Sequence, residues 1–111
     1  MSGRGVLMNV RERVKIAENI AKELVEVTRN EWLRWVQVTQ GDLDKGIRWA
    51  ERLSNDITLR PTPRYAAKQI ARVLRRYQYR LNNLPHHERE EIFGYVARFL
   101  SIRTLRGSSS L

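Results

Sequence analysis

Between Asp56 and Glu88 the sequence holds no acidic residue, and the stretch 60–81, RPTPRYAAKQIARVLRRYQYRL, fills most of that gap. At 100° per residue it sorts into two faces. Ala66, Ala67, Ile70, Val73, Leu74, Tyr77 and Leu81 share one face. Arg64, Lys68, Arg72, Arg75 and Arg76 share the other, with Tyr65 and Tyr79 among them. Thr62 reads as the N-cap and Pro63 as the first helical residue, where no donor is lost. Solvated helix faces gain from mixing both signs at i,i+4. A face of cations alone repels itself unless an anion lies across it. The residues expected to meet a polyanion are Arg60, Arg64, Tyr65, Lys68, Arg72, Arg75, Arg76, Tyr79 and Arg80. The competing reading is a solvated face that only keeps the chain soluble.

The charge is unevenly spread. The 111-residue chain has a net charge of +9. Residues 1–56 carry 10 Lys/Arg and 9 Asp/Glu, whereas 57–111 carry 11 and 3. Charge confined to one half fits a binding surface. Most of those cations are Arg, whose planar fork matches phosphate and stacks on bases. With no Cys in the sequence, disulfides, thiolate metal sites and a Cys nucleophile are excluded. No apolar run approaches the ~20 residues that span a bilayer. The first residues, MSGRGVLMNVRER, do not read as a signal peptide. A cytoplasmic location and no membrane partner are the expectation.

The remaining chain reads as helix throughout. Residues 1–8 are expected to be flexible, 9–105 to form one helical bundle and 106–111 to be a disordered tail. From Asn9 to about Thr39, Val10, Val14, Ala17, Ile20, Ala21, Leu24, Val27, Trp32, Trp35, Val36 and Val38 keep to one arc. This predicts one long helix ended by Gly41. The alternative is a capping box of Thr28 and Glu31 that opens a second helix. Asp42 caps a shorter helix with Leu43, Ile47, Ala50, Leu53 and Ile57 facing inward. TLRPTP at 58–63 is a stiff connection. A last helix runs from about Pro85 to Ile102 or Leu105, with Ile92, Phe93, Val96, Phe99 and Leu100 as core positions. Glu88, Glu90 and Glu91 suit its positive end. No stretch alternates at period two. The expected fold is all-α, an antiparallel bundle of about four helices with a long first helix. Trp32, Trp35, Phe93 and Phe99 are assigned to its core.

Catalytic chemistry finds little footing. His86 and Glu90, or His87 and Glu91, are one turn apart, but a zincin pattern needs two His at i,i+4. Neither a metal nor a cofactor is expected. No phosphate-cradling glycine loop or Ser–His–Asp set can be assembled. Arg13 and Glu31 stray toward the apolar arc, too few for a helical mutase site. Residues 43–57 and 63–81 could form a helix-turn-helix, though the turn is long and carries two prolines. The cations run the whole length of the second helix, which suits tracking a backbone rather than reading bases. Tyr65 and Tyr79 would stack on unpaired bases or pack over arginine stems.

In its size, helical content and Arg-rich face over Arg64 to Arg80, the chain resembles the small subunit of type I and type III CRISPR interference complexes. That resemblance implies a non-catalytic subunit of an antiviral ribonucleoprotein. It would hold a DNA or RNA backbone, or a guide–target duplex, without sequence preference. Its partners would be other subunits and copies of itself. A helix-turn-helix regulator and a helical adaptor for an acidic protein are the rival readings.

Overall fold

The structure, a computed structural model, describes residues 8–109, with side chains to Arg103. It is all-helical, with five helices among the described residues: α1 Val10–Glu23, α2 Arg29–Thr39, α3 Leu43–Ser54, α4 Pro61–Asn82 and α5 His86–Ser109.

The expected long first helix is two helices. Asn9 and Glu12 form a capping box at the start of α1, with exchanged bonds of 2.8 and 3.1 Å. The helix leaves its ladder at Leu24 (φ −91°, ψ 55°). Thr28 and Glu31 then form a second capping box, at 2.9 and 3.1 Å, and α2 begins. The alternative start signal is the one that operates. Val27 before the cap and Trp32 four residues after it are both buried. They hold the positions of a hydrophobic staple, which fixes the angle of re-entry.

α2 ends where expected. Gln40 and Gly41 both take positive φ, 48° and 84°. Asp42 accepts from Lys45 N–H at 3.1 Å and caps α3. Ile57 is corrected to the outside, 84% exposed in the turn after α3. α4 starts two residues before the Thr62–Pro63 expectation. Pro61 takes the first position, behind Arg60, and no side chain caps the end. Pro61 and Pro63 both sit among the four leading residues whose N–H groups lack helical partners. α5 runs on to Ser109, into the stretch 106–111 expected to be a disordered tail. Residues 1–7 of the expected flexible N-terminus, and 110 and 111 of that tail, lie outside the described residues.

The extra helix changes the bundle's sense. Glu51 of α3 meets Arg75 of α4, and the earlier Asp44 meets the later Gln78 and Asn82, so these two helices run antiparallel. Arg13 of α1 meets Glu88 and Glu91 of α5, and Ala21 meets Arg103, so the first and last helices run parallel. Alternating directions bring a first and a fifth helix to the same sense; four would leave the ends opposed.

The core is centred on aromatic rings. Trp32 and Trp35 lie 5.0 Å apart, and Phe93 meets each edge-on at 5.5 Å. Such pairs add to the burial of large apolar area. Each indole N–H is satisfied, Trp32 by Phe93 O at 3.0 Å and Trp35 by Gly46 O at 2.9 Å. Gly46 has a packing reason to be glycine inside a helix. A Cβ there would lie 2.9 Å from the Thr39 Cβ. Phe99 is only half-buried, packed against this core.

Candidate nucleic-acid interface

α4 turns a broad apolar face inward. Ala66, Ala67, Ile70, Val73, Leu74 and Leu81 are buried as expected, and Gln69 and Ala71 are buried with them. The opposite stripe carries Arg64, Tyr65, Lys68, Arg72, Arg75, Arg76 and Tyr79. Tyr65 and Tyr79 are 56% and 84% exposed, so neither ring is buried over arginine stems. They are 14 residues apart on one helix, about 21 Å at a rise of ~1.5 Å per residue.

The stripe is not without acidic partners, because neighbouring helices supply them. On one edge Arg75 makes a two-pronged pair with Glu51, Nε to Oε2 at 2.8 Å and Nη2 to Oε1 at 3.0 Å, and donates to Gln78. This pairing raises the Arg75 pKa and holds the Glu51 carboxyl below the usual range. On the other edge Arg76 pairs with Glu23, which also accepts from the Tyr77 hydroxyl at 3.1 Å. Between these edges Lys68 and Arg72 make no ion pair among the described residues; nor do Arg60, Arg64 and Arg80. The Arg64 Nε is buried without a partner. Arg60 precedes Pro61 at the head of α4, and Arg80 is exposed toward its end.

A shallow cleft of about 160 Å³ opens on this stripe, walled by Glu26, Tyr65, Lys68, Gln69 and Arg72. A larger, mainly apolar groove of about 340 Å³ lies between α2, α3 and α4, walled by Trp35, Trp49, Leu53, Leu59, Ala67 and Ile70. Its charged rim is Glu31 and Arg34, one of each sign.

Three further arginines act inside the fold, a use the sequence reading missed. Arg89 donates to Leu81 O at 3.3 Å and Gly41 O at 2.7 Å. Arg103 donates to Ala21 O at 3.3 Å and Val27 O at 2.7 Å. Leu81 O, Gly41 O and Ala21 O lie at helix C-terminal ends, where a cation is favoured, whereas Val27 O belongs to the turn just before the α2 cap. Arg13, which strayed into the apolar arc, pairs with Glu91 at 3.1 Å and Glu88 at 3.8 Å and donates to Met8 O. Glu88 is buried and also accepts from Met8 N–H at 3.3 Å, so it does more than complement a helix dipole.

Both histidines are exposed in the first turn of α5. His86 lies over Gly41, where a Cβ would come within 2.5 Å of its ring, and faces Glu90 at 3.7 Å. Among the described residues no three His, Asp or Glu side chains gather as metal ligands. No helix among them is long and apolar enough to cross a membrane. No protein-family model, characterised protein or solved structure matches this chain.

Proposed function

We propose that this protein is a non-catalytic, cytoplasmic subunit of a ribonucleoprotein, and that the outer stripe of α4 grips a nucleic-acid backbone without regard to sequence. The observation that carries this reading is the unneutralised centre of the stripe. Lys68 and Arg72 have no carboxylate partner among the described residues, although the edge residues Arg75 and Arg76 do. Unpaired cations in line along a helix are positioned to replace counterions on successive phosphates. Tyr65 and Tyr79 add exposed rings on which unpaired bases stack in any sequence. This is the role that the resemblance to CRISPR small subunits implies, with other subunits and copies of itself as partners in antiviral defence.

The antiparallel α3–α4 pairing favours this reading over a helix-turn-helix, whose helices cross at about 90–120°. The test is fluorescence anisotropy with unrelated single strands and duplexes across a salt series. Lys68→Ala with Arg72→Ala should weaken binding equally for all sequences. It should flatten the log–log salt slope by about 1.4, at ~0.7 per phosphate on a single strand. Arg75→Ala should change less, because Glu51 already holds that side chain. Unchanged affinity and slope in the double variant would overturn the assignment.

A further inference from the structure

The cleft on the stripe contains a group that a purely phosphate-binding face does not need. Glu26 lines it together with Lys68 and Arg72, yet pairs with neither. A carboxylate placed there repels phosphate. Its backbone is fixed, since Glu26 N–H donates to Gln69 Oε1 at 2.6 Å. An N–H can only donate, so the Gln69 amide is held oxygen-first toward Glu26. Its NH2 group makes no hydrogen bond among the described residues, and Gln69, a residue only 8% exposed, lines the cleft. The cleft therefore combines a fixed amide donor, a carboxylate with two acceptor oxygens, the Tyr65 ring and two cations.

We propose that this cleft takes one unpaired nucleobase of the bound strand and prefers guanine. The inference rests on the reading of α4 as the nucleic-acid face, and adds one discriminating position to an otherwise indifferent grip. A base stacked on Tyr65 turns its Watson–Crick edge toward Glu26 and Gln69. Guanine offers N1–H and N2–H side by side, which match both oxygens of a carboxylate, and its O6 accepts from the amide NH2. Cytosine and adenine each present one exocyclic amino group to the carboxylate. Thymine and uracil present one N–H between two carbonyl oxygens, which face the carboxylate unfavourably. Lys68 and Arg72 hold the flanking phosphates, so the base enters with its backbone neutralised. Because the edge used is the pairing edge, the strand must be single at this point.

The experiment uses the full chain and four fluorescent oligonucleotides: an oligothymidylate, and the same strand with one central guanine, cytosine or adenine. A single guanine should tighten binding about five- to tenfold over the all-thymine strand, near the low end for a two-pronged base contact. Glu26→Gln and Glu26→Ala should each abolish that ratio and leave oligothymidylate affinity equal or higher. Circular dichroism should show both variants folded, since the Glu26 side chain is exposed and makes no hydrogen bond among those of the described residues. Equal affinity of the wild-type chain for all four strands overturns the guanine site, while their salt-dependent binding keeps the backbone reading. A ratio unchanged by Glu26→Gln shows that the preference arises without the carboxylate, and overturns the site too. Failure to bind any of the strands overturns both readings.

Discussion

Replacing Arg103 by Met removes the fork that α5 extends over the end of α1. The side chain reaches Val27 O at 2.7 Å and Ala21 O at 3.3 Å. Ala21 O also accepts from Leu24 N–H at 3.1 Å, so it keeps a partner in the variant. Val27 O is the carbonyl left exposed to the change. A hydrogen bond to a charged group is worth about 1.5–3 kcal/mol net. The cation beside a helix C-terminus adds about 0.3–1 kcal/mol. Partial burial pulls the other way, and it lowers the Arg103 pKa from its ordinary value. The side chain is also part-exposed, so water can replace some of what is lost. The balance is a cost of about 1.5–2.5 kcal/mol for Arg103→Met. For a domain of this size that is a fall in Tm of about 6–10 °C, read by far-UV circular dichroism. Arg103→Lys keeps the charge but cannot span two carbonyls, and should recover roughly half of the loss. A Tm for Arg103→Met within about 1 °C of wild type would refute the argument that this guanidinium holds the α1–α2 break.

Freeing the edge arginines should strengthen the grip: Glu23→Gln with Glu51→Gln is expected to raise single-strand affinity and steepen the salt slope by up to about 1.4, measured by anisotropy. Acid should weaken the fold through the same α3–α4 contacts. The Asn82 and Gln78 hydrogen bonds hold the Asp44 carboxyl down, and Arg75 holds Glu51 down. The unfolded chain then binds more protons, so this stabilisation is complete above the ordinary values of 3.8 and 4.5 and is lost as pH falls through the lower folded ones. A Tm-against-pH curve should turn down below that range, and less so in Glu51→Gln. Gly46→Ala should destabilise by about 1–3 kcal/mol from overpacking against Thr39, outweighing a helix-propensity gain of at most ~1 kcal/mol, by urea melts. Trp32→Ala should cost about 3–5 kcal/mol and leave little folded protein at moderate urea.

The all-helical class, the cap at Asp42, the turn at Gly41 and the aromatic core around Trp32, Trp35 and Phe93 were legible in the sequence. The break after Glu23 was less so, for a physical reason. Leu24 and Val27 are buried although they lie in the turn, and with Trp32 and Trp35 they continue a helical spacing of apolar residues. Periodicity reports burial, and here a turn buries its side chains as a helix would. The capping box at Thr28 and Glu31 was the signal that separated the two cases. At the stripe, local sequence gave the line of cations but not their partners. Glu51 and Glu23 lie 24 and 53 residues from the arginines they hold. Arg89 and Arg103 were absorbed into the same count of charge, although their forks serve backbone carbonyls. The cleft needed the turn after α1 to bring Glu26 onto Gln69, and that contact has no local signature.

The parallel sense of α1 and α5 has a mechanical consequence. Tension applied between the start of α1 and the far end of α5 pulls the two helices along their shared interface, in shear. The Arg13 pairs near one end of that interface and the Arg103 fork near the other then bear load together rather than in turn. An antiparallel end pair, as a four-helix count would have given, would open like a zipper, one contact at a time. A chain pulled at these two ends resists by rupture force what it could not resist by peeling.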